Sequence, residues 1–122
     1  MANFYTDTSV LSHYLNHPLM QRIVALRERD FAEKDAYPYA PSSVSDTLDS
    51  YSRVLEIIGE ICAETIASNA AEVDATGASC GNGRVAYASG TARNIAVCKQ
   101  AGLMGMSMPR CYGGLNFSLV PY

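Results

Sequence analysis

The 122-residue chain reads as an all-α, small multi-helix domain carrying one short hairpin or loop. Three observations predict this class. A wide apolar stripe recurs at helical spacing from about residue 45 to 74. A second helical stretch, 90–101, ends at Gly102. The apolar share, 48%, is Ala-rich, with no Trp and few β-branched runs, which favours closely packed helices over sheets.

Composition sets outer limits. A chain of this size supports one domain with a real core. Apolar and charged fractions of 48% and 17% exclude a disordered chain. The net charge of -3 and the loose grouping of Arg22, Arg27 and Arg29 leave no nucleic-acid footprint. No apolar run reaches membrane-span length, and residues 1–7 lack the pattern of a secretory signal, so a cytoplasmic location is expected.

Cys62, Cys80, Cys98 and Cys111 form no C-x-x-C pair and lie far in sequence from His13 and His17. Free thiols are the expected state, and neither a zinc site nor a disulfide framework is expected.

The elements follow in order. Asp7 or Thr8 can cap a short helix whose Val10, Leu11, Tyr14 and Leu15 share a face. Pro18 suits the first turn of a second helix, with Leu19, Met20, Ile23, Val24 and Leu26 as its apolar set. His13 and His17 have the i, i+4 spacing of metal ligands, but Pro18 breaks the helix and no third ligand is near, so a solvent-facing or capping role is expected. Residues 35–41, with Pro38 and Pro41, read as an extended connector whose tyrosines lie on the next helix.

The main helix is expected from Ser45 to Asp74, capped by Ser43 or Ser45, with Asp46 and Asp49 at its positive end. Its stripe is Leu48, Tyr51, Leu55, Ile58, Cys62, Thr65, Ile66 and Val73, widened by Val54 and Ile61. At about 1.5 Å per residue it would run roughly 45 Å, so a bend or a projecting end is expected. Gly59 inside it points to a close helix crossing. Glu56, Glu60 and Glu64 share a face, which reads as solvated because no His accompanies them.

Residues 76–88 read as a loop or hairpin turning at Asn82-Gly83. Ser89 is expected to cap the helix 90–101, whose inner face is Ile95, Cys98, Ala92 and Ala101. Gly102 takes the left-handed stop, with Leu103 as its apolar contact. Met104, Met106 and Met108 alternate with Gly105 and Ser107, a period of two that predicts an extended segment. Gly113 and Gly114 allow backbone angles that other residues resist. Phe117 to Tyr122 reads as the opening of a further helix.

Several of these phrases together resemble the acyl-CoA dehydrogenase family. Residues 53–64, Ile66 and 69–77 are similar to its first long helix and following turn, with Asn69 where the family commonly has proline. Next come Cys98-Lys99-Gln100-Ala101-Gly102-Leu103-Met104-Gly105, Met108-Pro109 and Tyr112-Gly113-Gly114-Leu115. The order and spacing of these pieces, over about 45–122, carry the resemblance. Residues 1–42, with Asn3-Phe4-Tyr5-Thr6-Asp7 and Tyr37-Pro38-Tyr39-Ala40-Pro41, resemble the N-terminal extension of the longer subfamily.

The resemblance implies two segments: an extension, 1–42, and the N-terminal helical domain, 43–122, truncated at its C-terminal end. It implies a parent enzyme that oxidises acyl-CoA to 2,3-enoyl-CoA with FAD and passes electrons to electron-transfer flavoprotein. The family's catalytic glutamate and most FAD contacts come from beyond Tyr122. No catalytic, cofactor-binding or metal residue is therefore assigned within this chain, and the fragment alone is expected to be inactive without bound FAD. Partners implied are the remaining domains of the parent and a homo-oligomer, and faces left bare should self-associate. A stand-alone helical interaction or dimerisation module is the competing reading. A small metal or redox protein using the Cys and His residues ranks below it.

Overall fold

A computed structural model describes residues 2–121. Its elements are α1 (Ser9–Leu15), α2 (Met20–Glu28), α3 (Val44–Glu60), a π-helical segment (Ile61–Ile66), α4 (Ala67–Thr76), β1 (Ser79–Gly81), β2 (Arg84–Ala86) and α5 (Ser89–Gln100). Single 3-10 turns follow at Leu103–Gly105 and Arg110–Tyr112. The fold is mostly helical with one small two-stranded sheet, as the sequence predicts.

The start of α3 is set locally. Ser43 is its N-cap and accepts from the Asp46 N–H at 3.2 Å, while the Asp46 carboxylate accepts from the Ser42 N–H at 2.9 Å. This reciprocal arrangement satisfies amides that the helix leaves free and places a negative charge at its positive end. Thr47, one turn in, is buried and donates its hydroxyl to the Ser43 carbonyl.

The expected irregularity of the long helix is a π turn at Ile61–Ile66, between α3 and α4. Gly59, just before it, permits a close approach, but by the N-terminal turn rather than by another helix. A Cβ there would lie 2.7 Å from the Tyr5 nitrogen and would also meet the Asn3 carboxamide. Asn3 fastens that turn, donating to the Glu56 carbonyl at 2.9 Å and accepting from the Tyr5 and Thr6 amides. The Phe4 N–H donates to the Gly59 carbonyl.

The core joins the N-terminal turn, α1, α2, α3 and the tail: Tyr5, Leu15, Met20, Val24, Tyr51, Leu55, Met106 and Phe117. Tyr51 is fully buried and packs in a tilted arrangement on Phe117, with 4.5 Å between ring centroids. Its hydroxyl accepts from the Ser118 N–H at 2.9 Å. Tyr5, Leu15, Met20 and Val24 thus bring the segment before α3 into the same core as α3 and the tail.

The other half is thinner. The π segment and α4 pack on α5, and Gly90 is buried where a Cβ would meet Val73 at 2.5 Å. The hairpin turns at Asn82 (φ 53°) and Gly83 (φ 72°), the left-handed pair that a two-residue turn needs. Both its strands are exposed.

Several expectations are corrected. Val10, Leu11 and Tyr14 are exposed and only Leu15 of that set is buried, because the short α1 contributes little more than one turn to the core. Thr8 occupies the α1 N-cap, but its hydroxyl donates backward to the Phe4 carbonyl and Asp7 serves Asn3 instead. The α2 N-cap is Leu19, so Pro18 precedes the helix, and Leu19 and Leu26 are exposed. Residues 35–41 form successive turns, with Ala36 N–H bonded to the Glu33 carbonyl and Ala40 N–H to that of Tyr37.

Ser89 lies inside α5, with Ala88 as N-cap and no side-chain cap. The inner face of α5 is rotated from the expected one: Ile95, Ala92 and Ala101 are exposed, while Thr91, Asn94, Val97 and Cys98 are half-buried. Asn94 sets that face, exchanging two hydrogen bonds with Asn69 at 2.8 and 3.1 Å. The methionine segment is a 3-10 turn with tight turns rather than extended, and Met106 alone is buried. Residues 117–121 form no helix, and the Phe117 and Ser118 amides are spent on the Met106 carbonyl and the Tyr51 hydroxyl; Tyr122 lies outside the described residues.

Gly59→Ala tests the packing directly. Alanine gains about 1 kcal/mol in helix propensity, yet overpacking costs about 1–3 kcal/mol or more. The expected outcome is a net loss of up to about 2 kcal/mol in urea unfolding. Gly81→Ala, whose Cβ meets nothing within 4 Å, should change stability far less.

Candidate functional site

The most strongly constrained group of polar side chains lies where α2 meets the tail. Glu28 continues the line Met20, Val24 along the buried face of α2. A carboxylate at that position needs a buried partner, and Arg110 supplies it from 82 residues away. Two paired bonds join them, Nη1 to Oε2 at 2.7 Å and Nη2 to Oε1 at 2.8 Å, with both side chains 2% exposed. Glu33 adds a second carboxylate at 3.1 Å, and it also holds Arg29 at 2.7 Å.

Glu33 reaches Arg110 because the chain reverses through three left-handed residues, Arg29 (φ 49°), Asp30 (φ 54°) and Phe31 (φ 62°). Non-glycine residues resist that conformation. It is held by Asp30 N–H on the Ala25 carbonyl and Ala32 N–H on the Glu28 carbonyl. Arg27, next to Glu28, donates to the carbonyls of Asn116 and Ser107, and the Asn116 side-chain amide donates back to the Arg27 carbonyl.

The tail presents Arg110 through the turn 109–115. Gly113 sits at φ 83°, as expected of it. Gly114 has a different reason: a Cβ there would meet the Met108 carbonyl, so glycine is needed for closeness. Burial lowers the Arg110 pKa, but hydrogen bonds and charge from Glu28 and then Glu33 outweigh it, and the guanidinium stays cationic well into alkali. Chemically this is a neutralised clamp. Arg110 is committed to two carboxylates and offers no free acid, base or nucleophile.

A cleft of about 210 Å³ opens over the pair, walled by Tyr39, Pro41, Val54, Leu115 and Phe117, with Thr47, Ser50 and Arg53 from α3. Sequence reasoning assigned no role to Arg110 or Glu28. The signal available was Glu28 itself, an acid in register with Met20 and Val24.

Other residues singled out stay apart. Glu56, Glu60 and Glu64 are exposed, and Glu64 accepts from the Ala2 N–H, so the solvated-face reading holds. His17 accepts from the Leu19 N–H through Nδ1, a local capping contact, while His13 lies exposed beside Tyr14. Among the described residues, no three His, Cys, Asp or Glu side chains converge as metal ligands. All four cysteines are free; Cys80 and Cys111 are exposed, and Cys62 is half-buried.

Breaking the clamp should be costly. Glu28→Gln leaves Arg110 charged and buried, and the expected loss is about 3–5 kcal/mol in denaturant unfolding. The Glu28→Met, Arg110→Met double variant should lose much less; equal losses would contradict the clamp. For Cys62, burial and then Cys98 push the thiol above its ordinary value. The folded chain holds that proton more tightly than the unfolded one, so this contribution is full at lower pH and is lost as pH rises through the raised value. At mildly alkaline pH, iodoacetamide should modify Cys80 and Cys111 well before Cys62, read by peptide mass mapping.

No family model matches the chain, and no solved structure matches it. Among curated proteins it is similar to the L-prolyl-[peptidyl-carrier protein] dehydrogenase of Pseudomonas fluorescens (strain Pf-5), with 38% identity over 66 residues. The aligned stretch covers 54% of this chain and 14% of that protein. The chain therefore corresponds to a small part of the length of the relative it matches, and that relative is a dehydrogenase.

Proposed function

We propose that this chain is the N-terminal helical domain of a dehydrogenase of the acyl-CoA dehydrogenase type, with 1–42 as its extension and 43–122 as the domain proper. The similarity to a dehydrogenase over 66 residues carries the reading. The mostly helical fold with a single hairpin supports it. The parent would be a flavin enzyme that takes a hydride from an acyl group held on a carrier, acyl-CoA being the family substrate. Electron-transfer flavoprotein would receive the electrons, and the rest of the parent and further copies would be its partners. Among the described residues no helix is long and apolar enough to cross a membrane, which fits this assignment.

The residues of this chain do not themselves fit a flavin. The cleft over Arg110 has a volume of about 210 Å³. A flavin dinucleotide is far larger than that space. The two terminal nitrogens of the guanidinium at its floor are already spent on Glu28, Glu33 and the Leu115 carbonyl. The chain's contribution is structural: it forms a wall and scaffold for a catalytic centre supplied elsewhere in the parent. A second reading, a helical interaction module, draws on the exposed Leu11, Tyr14, Leu119 and Val120.

Two measurements test this. The coding frame past codon 122 should continue into a β-rich segment and a second helical bundle carrying a glutamate; a stop codon there would turn the assignment toward the interaction module. The purified 122-residue chain should show no flavin absorbance and no acyl-CoA-dependent dye reduction. A flavin spectrum or turnover would contradict the structural role.

A further inference from the structure

The cleft over the ion pair has a donor inventory that points to an occupant. Thr47 and Ser50 line it, but their hydroxyls already donate to the Ser43 and Asp46 carbonyls at 2.9 Å each. Two guanidinium groups remain with unspent donors. Arg53, on the exposed face of α3, makes no ion pair among the described residues. Arg110 lines the same cleft, its side chain 2% exposed, and its Nε is a buried donor with no acceptor. A buried unmet donor is costly, but Arg53 is the guanidinium of this cleft that is exposed to a ligand.

The charges narrow the chemistry. Arg110 and Arg29 together balance Glu28 and Glu33, so the clamp is neutral and Arg53 adds one positive charge at the cleft. A single negative charge placed beside Arg53 matches it, whereas a dianion would exceed it and meet the field of the two carboxylates. The walls, Tyr39, Val54, Leu115 and Phe117, call for an apolar body. The cleft volume is about 210 Å³. That is below the roughly 300 Å³ of drug-sized sites, which limits the occupant to a small body.

We propose that this cleft binds a small monocarboxylate with an apolar body, of the size of hexanoate or benzoate, its carboxylate recognised by Arg53. The site is independent of the dehydrogenase assignment, and neither stands or falls with the other.

The test is titration of the full 15N-labelled chain with hexanoate and benzoate, followed by amide chemical shifts. Benzamide and inorganic phosphate serve as probes of charge and of general anion binding. The expected result is saturable shifts at Val54, Leu115 and Phe117 with millimolar affinity, weakened at least tenfold by Arg53→Ala and for benzamide. Arg53 is exposed, so a dispersed spectrum of Arg53→Ala should show that the fold is kept. Arg53→Lys should retain part of the affinity. Absence of saturable shifts, equal binding of benzamide, indifference to Arg53→Ala, or equal binding of phosphate would each overturn the proposal.

Discussion

The bidentate pair between Glu28 and Arg110 is the constraint on which the rest of the arrangement depends. It joins the end of α2 to a tail turn 82 residues later, with both side chains only 2% exposed. A buried ion pair is a poor source of net stability, because desolvation offsets most of the attraction. Its effect is on specificity. Neither charge tolerates burial alone, so any packing of the tail that separates them is strongly disfavoured. The left-handed reversal at Arg29 to Phe31 is the local cost of bringing Glu33 to the same guanidinium, and Arg27 fixes the register of the tail beside it.

From that fixed point the tail runs back across α3. The Met106 and Phe117 side chains enter the core, and the Ser118 N–H meets the Tyr51 hydroxyl. Tyr51 therefore joins two functions in one residue, an aromatic surface for Phe117 and an acceptor for a buried amide. The half built from the π segment, α4 and α5 has no such anchor. It is held by the close approach of Gly90 to α4 and by the Asn69–Asn94 pair, and it leaves Val85, Tyr87 and Met104 in solvent. An asymmetry of this kind, one firm half and one thin half, suits a domain that rests against further structure, as the dehydrogenase assignment proposes.

What could be read from the sequence was what local chemistry dictates. The Ser43 cap, the Asn82-Gly83 turn and the Gly102 stop each depend on residues within one turn of one another, and each stands where expected. The carboxylates of the α3 face read correctly because exposure follows from the opposite apolar stripe. Contacts across the chain were illegible. Nothing local marks Arg110 as the partner of Glu28, and nothing in α5 shows that Asn94, rather than Ile95, faces inward to meet Asn69. The alternating methionines misled because a period of two can also arise by chance in consecutive tight turns. Of the candidate cleft, nothing local marked Arg53, Ser50 and Val54 as one wall, and its floor required the fold.

Native-state hydrogen exchange of backbone amides tests most directly the claim that the buried pair makes the tail and α2 one unit with α3. The amides of Asn116, Phe117 and Ser118 donate to groups in the tail or to Tyr51, as internal bonds of that unit. Their exchange near neutral pH should report the same opening free energy as amides in the middle of α3, and respond equally to denaturant. Exchange of the tail amides by a local opening, much easier than that of α3 and insensitive to denaturant, would contradict the account.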